Sequence, residues 1–284
     1  MVQIAYALPP EREEIAQFMC AAFPKAKWDI DGWRRVLDGR WGGDAPYAVT
    51  VRDKGVLVGV LGLISATRMT KTGLKRTMNM TSWYVLKSHR GMGLGSQMLA
   101  LITADPDVTV TNYSSAKGAV PVVERAGFKA LDSQRFVWKA RSHSGAIDLV
   151  ENPSIDDPNL TSQDRQILKD HQGLNLQSRL VKTPDGWCFF MFMIKQKHDE
   201  YLTYETMHVS RPDLFARCAR AIADQILPET GAVLSVDSRF ILGDVTPDAI
   251  ENFAVPRFYT LGAIQPVDVD HLYSEIVLLD MKMY

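Results

Sequence analysis

Cysteine is scarce. Only Cys20, Cys188 and Cys218 occur in 284 residues, far apart and without the spacing of a metal site or a redox pair. That excludes a disulfide-built fold, fits a reducing compartment, and reads the three as small hydrophobes rather than catalytic thiols. Long apolar runs are missing as well: the longest, residues 187–194, has eight residues, against the roughly 20 that a membrane helix needs. Residues 1–17 lack the charged stretch followed by an apolar core that marks a secretory signal, so the expected location is cytoplasmic. Nor is one sign of charge in excess. With 32 basic and 33 acidic side chains no global field recruits nucleic acid or an anionic membrane, and neither these partners nor a metal is expected.

What is present is average for a soluble globular protein, 46% apolar and 23% charged, at a length that suits one large domain or two of about 100 to 150 residues. Residues 3–8 suggest a strand. Residues 11–23 place Ile15, Phe18, Met19 and Ala22 at helical spacing, and residues 28–37 suggest a second amphipathic helix. Two strand-like runs, 47–51 and 56–67, flank the turn Asp53-Lys54-Gly55. A further strand over 76–86 runs into a glycine-rich loop at 90–95 and a helix over 96–104. A strand over 108–113, a helix over 119–126 and a closing strand over 135–139 complete the first half. The polar stretch from about 140 to 170 reads as a linker and then a capped helix at 164–171. Beyond it, 187–196, 201–210, 233–236 and 275–282 read as strands and 211–226 as a helix. This order echoes the first half when Arg211 is set against Arg90. The echo predicts a duplication of about 130 residues whose second copy lacks the glycines.

Arg90-Gly91-Met92-Gly93-Leu94-Gly95 stands directly between a strand and a helix. Glycines allow close backbone approach to a ligand, and the free N–H groups and positive dipole end of the next helix suit a pyrophosphate. Two rival phosphate motifs fail on the same residues. Counting from Gly91, the dinucleotide fingerprint needs glycine where Ser96 stands and an acid near Thr111, and the Walker pattern needs a Gly-Lys-Ser/Thr that is absent. A turn whose glycines merely tighten the connection is the plain structural alternative.

On these residues the chain resembles the GNAT superfamily of acyl-CoA N-acyltransferases over about residues 3–140. The family block V-x-P-x-x-R-G-x-G-x-G matches Val85 to Gly95 with Lys87 in place of proline, and Gly127-Phe128 matches the pair that starts the family's last hairpin. The resemblance implies a GNAT-like α/β (α+β) fold, a mixed and mostly antiparallel sheet flanked by helices, in two tandem domains. The first would be 1–141, followed by a linker at 142–160 and a second domain at 161–284. It further implies acetyl-CoA as co-substrate, held by Val85, Leu86, Arg90, Gly91, Met92, Gly93, Leu94, Gly95 and Ser96, and direct attack by an amine in a ternary complex. A backbone N–H near Val85 would stabilise the developing oxyanion.

Two departures bear on catalysis. Where the family often carries an asparagine and a tyrosine, this chain has Ala116 and Val123. Tyr113 is the first replacement candidate as acid and His89 as base, against the plainer readings of a packed tyrosine and a loop histidine. Glu205, His208, Asp237 and Arg239 could serve from the second half, although solvated or paired surface charges are their ordinary reading. Trp28, Trp33 and Trp41 sit where the resembled family builds its acceptor wall, yet core packing is their expected role. The expectation is an acetyltransferase acting on a small-molecule amine, with a second copy of the chain as a compatible further partner. A catalytically silent acyl-CoA-binding protein is the alternative, and an aminoacyl-tRNA donor a third reading.

Overall fold

The computed structural model describes residues 1–70, 72–141, 147–197 and 201–283. The first elements are β1 (Val2–Tyr6), α1 (Arg12–Ala22), α2 (Ile30–Leu37), β2 (Ala48–Asp53), β3 (Val56–Thr70), β4 (Gly73–Val85), α3 (Leu94–Ile102), β5 (Val108–Asn112) and α4 (Val120–Arg125). There follow β6 (Lys129–Lys139), β7 (Leu149–Glu151), α5 (Ser162–Asp170), β8 (Gln177–Thr183), β9 (Gly186–Lys197), β10 (Tyr201–Val209), α6 (Pro212–Ile226), β11 (Ala232–Asp237), β12 (Ala249–Tyr259) and α7 (Glu275–Leu278). Two compact units result. Unit 1 holds Met1–Ala130, Arg257–Gln265 and Tyr273–Met281; unit 2 holds Leu131–Pro256, Pro266–Leu272 and Lys282–Tyr284. Of the expected linker 142–160, residues 142–146 lie outside the described residues, and Leu149–Glu151 is a strand.

In unit 1 the sheet runs β1-β2-β3-β4-β5 and is closed by the end of β12. All neighbours are antiparallel except β4 and β5, which are parallel. The β2–β3 turn has Lys54 at φ 50° and Gly55 at φ 84°, the pair of positive angles that a tight hairpin with right-handed strand twist requires. α1 buries Ile15, Ala16 and Met19. α2 starts at Asp29, whose carboxylate accepts the amides of Asp31 and Gly32. It lays Trp33 and Leu37 into the same core as Tyr47, Leu57 and Val60.

Unit 2 repeats that plan. Its strands run β7-β8-β9-β10-β11-β6, antiparallel except for the parallel pair β10 and β11. A helix, α6, joins that parallel pair just as α3 joins β4 to β5. In both units the closing strand is drawn from the other half of the sequence: β12 closes unit 1 (Phe258 opposite Asn112) and β6 closes unit 2 (Val137 opposite Ser235). The core of unit 2 gathers Phe190 and Phe192 of β9, Phe215 and Ile222 of α6, and Leu234.

One expected strand is something else. Residues 275–278 form the helical turn α7, followed by irregular chain to Met283. Ile276, Val277 and Leu278 are all buried, so the run lacks the polar face whose period separates helix from strand.

Candidate functional site

The site begins where β4 and β5 part. Their parallel ladder runs from Arg76 opposite Val108 to Asn79 opposite Thr111 and ends there. Buried Asn79 holds the fork: its Nδ2 donates to Thr111 Oγ1 at 3.1 Å, and its Oδ1 accepts the amide of Glu275 at 3.4 Å. Beyond Asn79, β4 stays paired with β3, with a register shift between Thr81 opposite Gly62 and Tyr84 opposite Val60. Ser82 sits in that bulge at φ 51°, a left-handed conformation that costs a non-glycine residue about 1 kcal/mol or more. Bulges re-aim strand groups, and this one lies at the opening of the fork.

The glycine loop follows β4 directly. Gly91 and Gly93 adopt φ 83° and 73°. A Cβ at Gly91 would meet nothing within 4 Å, so conformation rather than crowding selects glycine at these two positions. Gly95 differs: a Cβ there would lie 2.5 Å from Trp83 Cζ2, so this glycine lets α3 pack against β4. The first helical bond of α3 runs from Gln97 N to Gly93 O. The preceding amides of Leu94, Gly95 and Ser96 therefore have no helical acceptor. Leu94 is buried while Met92 is 52% exposed. Arg90 turns back, donating from Nε to Val85 O at 2.9 Å with its guanidinium 5.2 Å from the Tyr84 ring, and Leu86 N donates to Val58 O.

A cavity of about 570 Å3 opens at the fork. Strand β4 contributes Met80 to Trp83, the end of β5 contributes Asn112, Ser114 and Ser115, the α1–α2 connection contributes Phe23 and Trp28, and α7 contributes Glu275. Glu275 is 1% exposed. Its Oε1 accepts the Ser114 hydroxyl at 2.6 Å, and its Oε2 is buried without a hydrogen-bond partner. Burial pushes this carboxyl up to about 7, against the lowering effects of the Ser114 hydrogen bond and the Arg257 charge. The indole Nε1 atoms of Trp28 and Trp33, both lining residues, are likewise buried and unpartnered.

Neither expected catalytic side chain lines this cavity. Tyr113 is 9% exposed, and it is its neighbours Asn112 and Ser114 that face the opening, as strand alternation dictates. His89 faces Ser88 Oγ at 2.9 Å and Asp53 Oδ2 at 3.5 Å. Of the positions where the family places asparagine and tyrosine, Ala116 lines the cavity and Val123 is buried in α4. Trp28 and Trp33 form a wall as well as a core, packed edge-to-face at 5.2 Å, while Trp41 packs on Tyr273. Sequence reasoning missed Glu275. The available signal was a lone acid in the apolar run Ser274-Glu275-Ile276-Val277-Leu278.

The second-half charges are not on the surface. Glu205 is fully buried, 2.9 Å from Lys197 Nζ and accepting the Met283 amide. His208 pairs with Asp270 at 3.0 Å, Asp237 with His271 at 2.7 Å, and Arg239 with Asp132 and Asp237. Desolvation explains the difference, since charges buried this deeply persist only when paired. Cys20 also departs from expectation, being exposed, whereas burial pushes the Cys188 thiol up to about 12. Among the described residues no group of three His, Cys, Asp or Glu side chains could hold a metal ion, and no helix is long and apolar enough to cross a membrane.

A strand, a glycine loop and a helix N-terminus beside a forked parallel pair define the acyl-CoA N-acyltransferase type of fold. Residues 12–128 match the model of the Acetyltransferase (GNAT) family, and the chain carries a GNAT acetyltransferase domain there. The fold agrees with a GCN5-related N-acetyltransferase from Anabaena variabilis (TM-score 0.58, 10% identity, 91% of this chain and 72% of that one). It agrees equally with a GCN5-related N-acetyltransferase from Kribbella flavida (0.57, 12%, 91% and 70%) and a conserved protein of unknown function from Enterococcus faecalis (0.56, 10%, 94% and 74%). No curated protein matches the sequence.

Proposed function

We propose that this chain is an acyl-CoA-dependent N-acyltransferase that moves an acetyl group to a small-molecule amine. The observation that carries the reading is the pairing of left-handed Gly91 and Gly93 before α3 with the β4–β5 fork beside the cavity. Gly91 and Gly93 leave the loop backbone bare, and the amides of Leu94, Gly95 and Ser96 offer free donors at the positive end of a helix, which is the chemistry a pyrophosphate needs. Arg90 braces the loop against Val85 O and leaves positive charge near the phosphates. Val85 and Leu86 would flank the pantetheine arm, and Met92 would cover it from the loop. When bound, acetyl-CoA supplies an activated thioester carbonyl. The chain's own part is to hold it along the free edge of β4 beyond Asn79 and to present the amine from the cavity. Tyr113 and His89 lie outside that lining and receive no role in proton transfer here.

Unit 2 is proposed as a second GNAT-like domain without the phosphate loop. It has the same strand order and directions, but α6 is entered through Arg211-Pro212 with no glycine between. The reading is tested by following free CoA thiol released from acetyl-CoA in the presence of a panel of amines. Release that depends on both substrates is expected. Tight acetyl-CoA binding without turnover of any amine would favour a silent binding protein instead.

A further inference from the structure

Residues lining the cavity carry three buried polar atoms with no partner among the described residues: Glu275 Oε2, Trp28 Nε1 and Trp33 Nε1. An unmet buried donor or acceptor costs about 1–3 kcal/mol, so such groups commonly wait for a ligand or an unresolved water. The charge of the lining is also specific. Among the described residues Glu275 is its single carboxylate and Lys25, exposed on the α1–α2 connection, its single cation, and Phe23, Trp28, Trp33 and Trp83 add an aromatic wall. A polyamine would need several carboxylates. From this geometry we infer that the acceptor is a primary amine with one positive charge and an apolar, aromatic-sized body, and that Glu275 is the catalytic residue that takes the proton from its nitrogen. The inference rests on the N-acyltransferase reading.

The proton balance is simple. The ammonium gives one proton to Glu275 Oε2, the free amine forms the C–N bond at the thioester carbonyl, and the C–S bond breaks. The second proton of the attacking nitrogen leaves with the sulfur as free thiol, and Glu275 returns its own to solvent. Ser114 is a positioning residue, since its hydroxyl fixes Oε1 and leaves Oε2 as the oxygen without a partner. A carboxyl held up to about 7 is matched to this task near neutral pH. The indole rings can receive the apolar body, and an oxygen on it could accept their N–H groups.

The test uses the full chain with acetyl-CoA and three amines, 2-phenylethylamine, tyramine and spermidine. Wild type should acetylate the first two with at least about tenfold higher kcat/KM than spermidine. Glu275→Gln should lower kcat about 10²-fold or more while leaving acetyl-CoA affinity within about twofold. The wild-type rise of kcat/KM near pH 7, set by Glu275 with Ser114 and Arg257 as the groups acting on it, should vanish in Glu275→Gln. In Ser114→Ala it should move to higher pH. If acetyl-CoA does not bind the wild type, the N-acyltransferase reading itself fails. If it binds, and Glu275→Gln turns over at the wild-type rate with the same pH profile, or spermidine is the preferred acceptor, this inference is overturned. Ser114→Ala and Glu275→Asp provide the same comparison should Glu275→Gln not fold, with partial activity expected of Glu275→Asp.

Discussion

At the scale of single residues, Glu275 couples function to stability. Its folded carboxyl titrates at about 7 against 4.5 for an ordinary one, so between those pH values the native state holds a proton that the unfolded chain has lost. Stability therefore falls as pH rises through that window, by about 3 kcal/mol at most from this one group. Glu275→Gln cannot ionise and should flatten the decline; denaturant melts of both proteins from pH 4 to 8 would show the curves diverging above pH 5, and parallel curves would remove the ionised carboxylate from the ledger. Asn79 offers a second residue-scale prediction. Its amide joins Thr111 to Glu275, and Asn79→Ala should cost about 1–3 kcal/mol by leaving buried groups unpaired, with a larger proportional loss of turnover than of acetyl-CoA affinity. The loop glycines were legible from the letters alone, because left-handed backbone and glycine go together. Glu275 was not, because nothing local to the run 274–278 says that the fold returns it to the fork.

Elements show the same division between local and distant causes. Amphipathic α1, α2 and α6, the hairpin at Lys54-Gly55 and the strand-loop-helix around Gly93 carry their period or turn residues in sequence, and the structure has them within a few residues of expectation. Strand β7 has three residues, β8 is mostly polar, and β12 contains Asn252, Pro256 and Arg257. Such strands exist because partners accept them, which pattern alone cannot reveal. The bulge at Ser82 belongs to this scale as well. Ser82→Gly should relieve left-handed strain and stabilise unit 1 by up to about 1 kcal/mol, measurable as a higher midpoint in chemical denaturation; a lower midpoint would mean that the Ser82 side chain contributes more than the strain costs.

Across the whole molecule, the repeated order of four antiparallel strands, one parallel partner and one closing strand makes the two units copies of one plan, and each is closed by a strand from the other half of the sequence. The echo between the halves was readable, but the exchange of closing strands was not, since β6 and β12 say nothing alone about which neighbour they will pair with. Only unit 1 has the glycine loop. Unit 2 invests instead in buried ion pairs around Arg239. Arg239→Ala would leave Asp132 without its buried cation and should destabilise unit 2 by about 3–5 kcal/mol, whereas a Tm within a degree of wild type would show that the pair is dispensable. The central claim is that the loop before α3 holds the phosphates of acetyl-CoA. Calorimetric titration of wild type and Gly93→Val with acetyl-CoA, NAD and ATP tests it most directly. Saturable binding of acetyl-CoA alone, lost in a folded Gly93→Val whose backbone cannot keep φ 73°, is the predicted result; equal affinity of the two proteins for acetyl-CoA would contradict it.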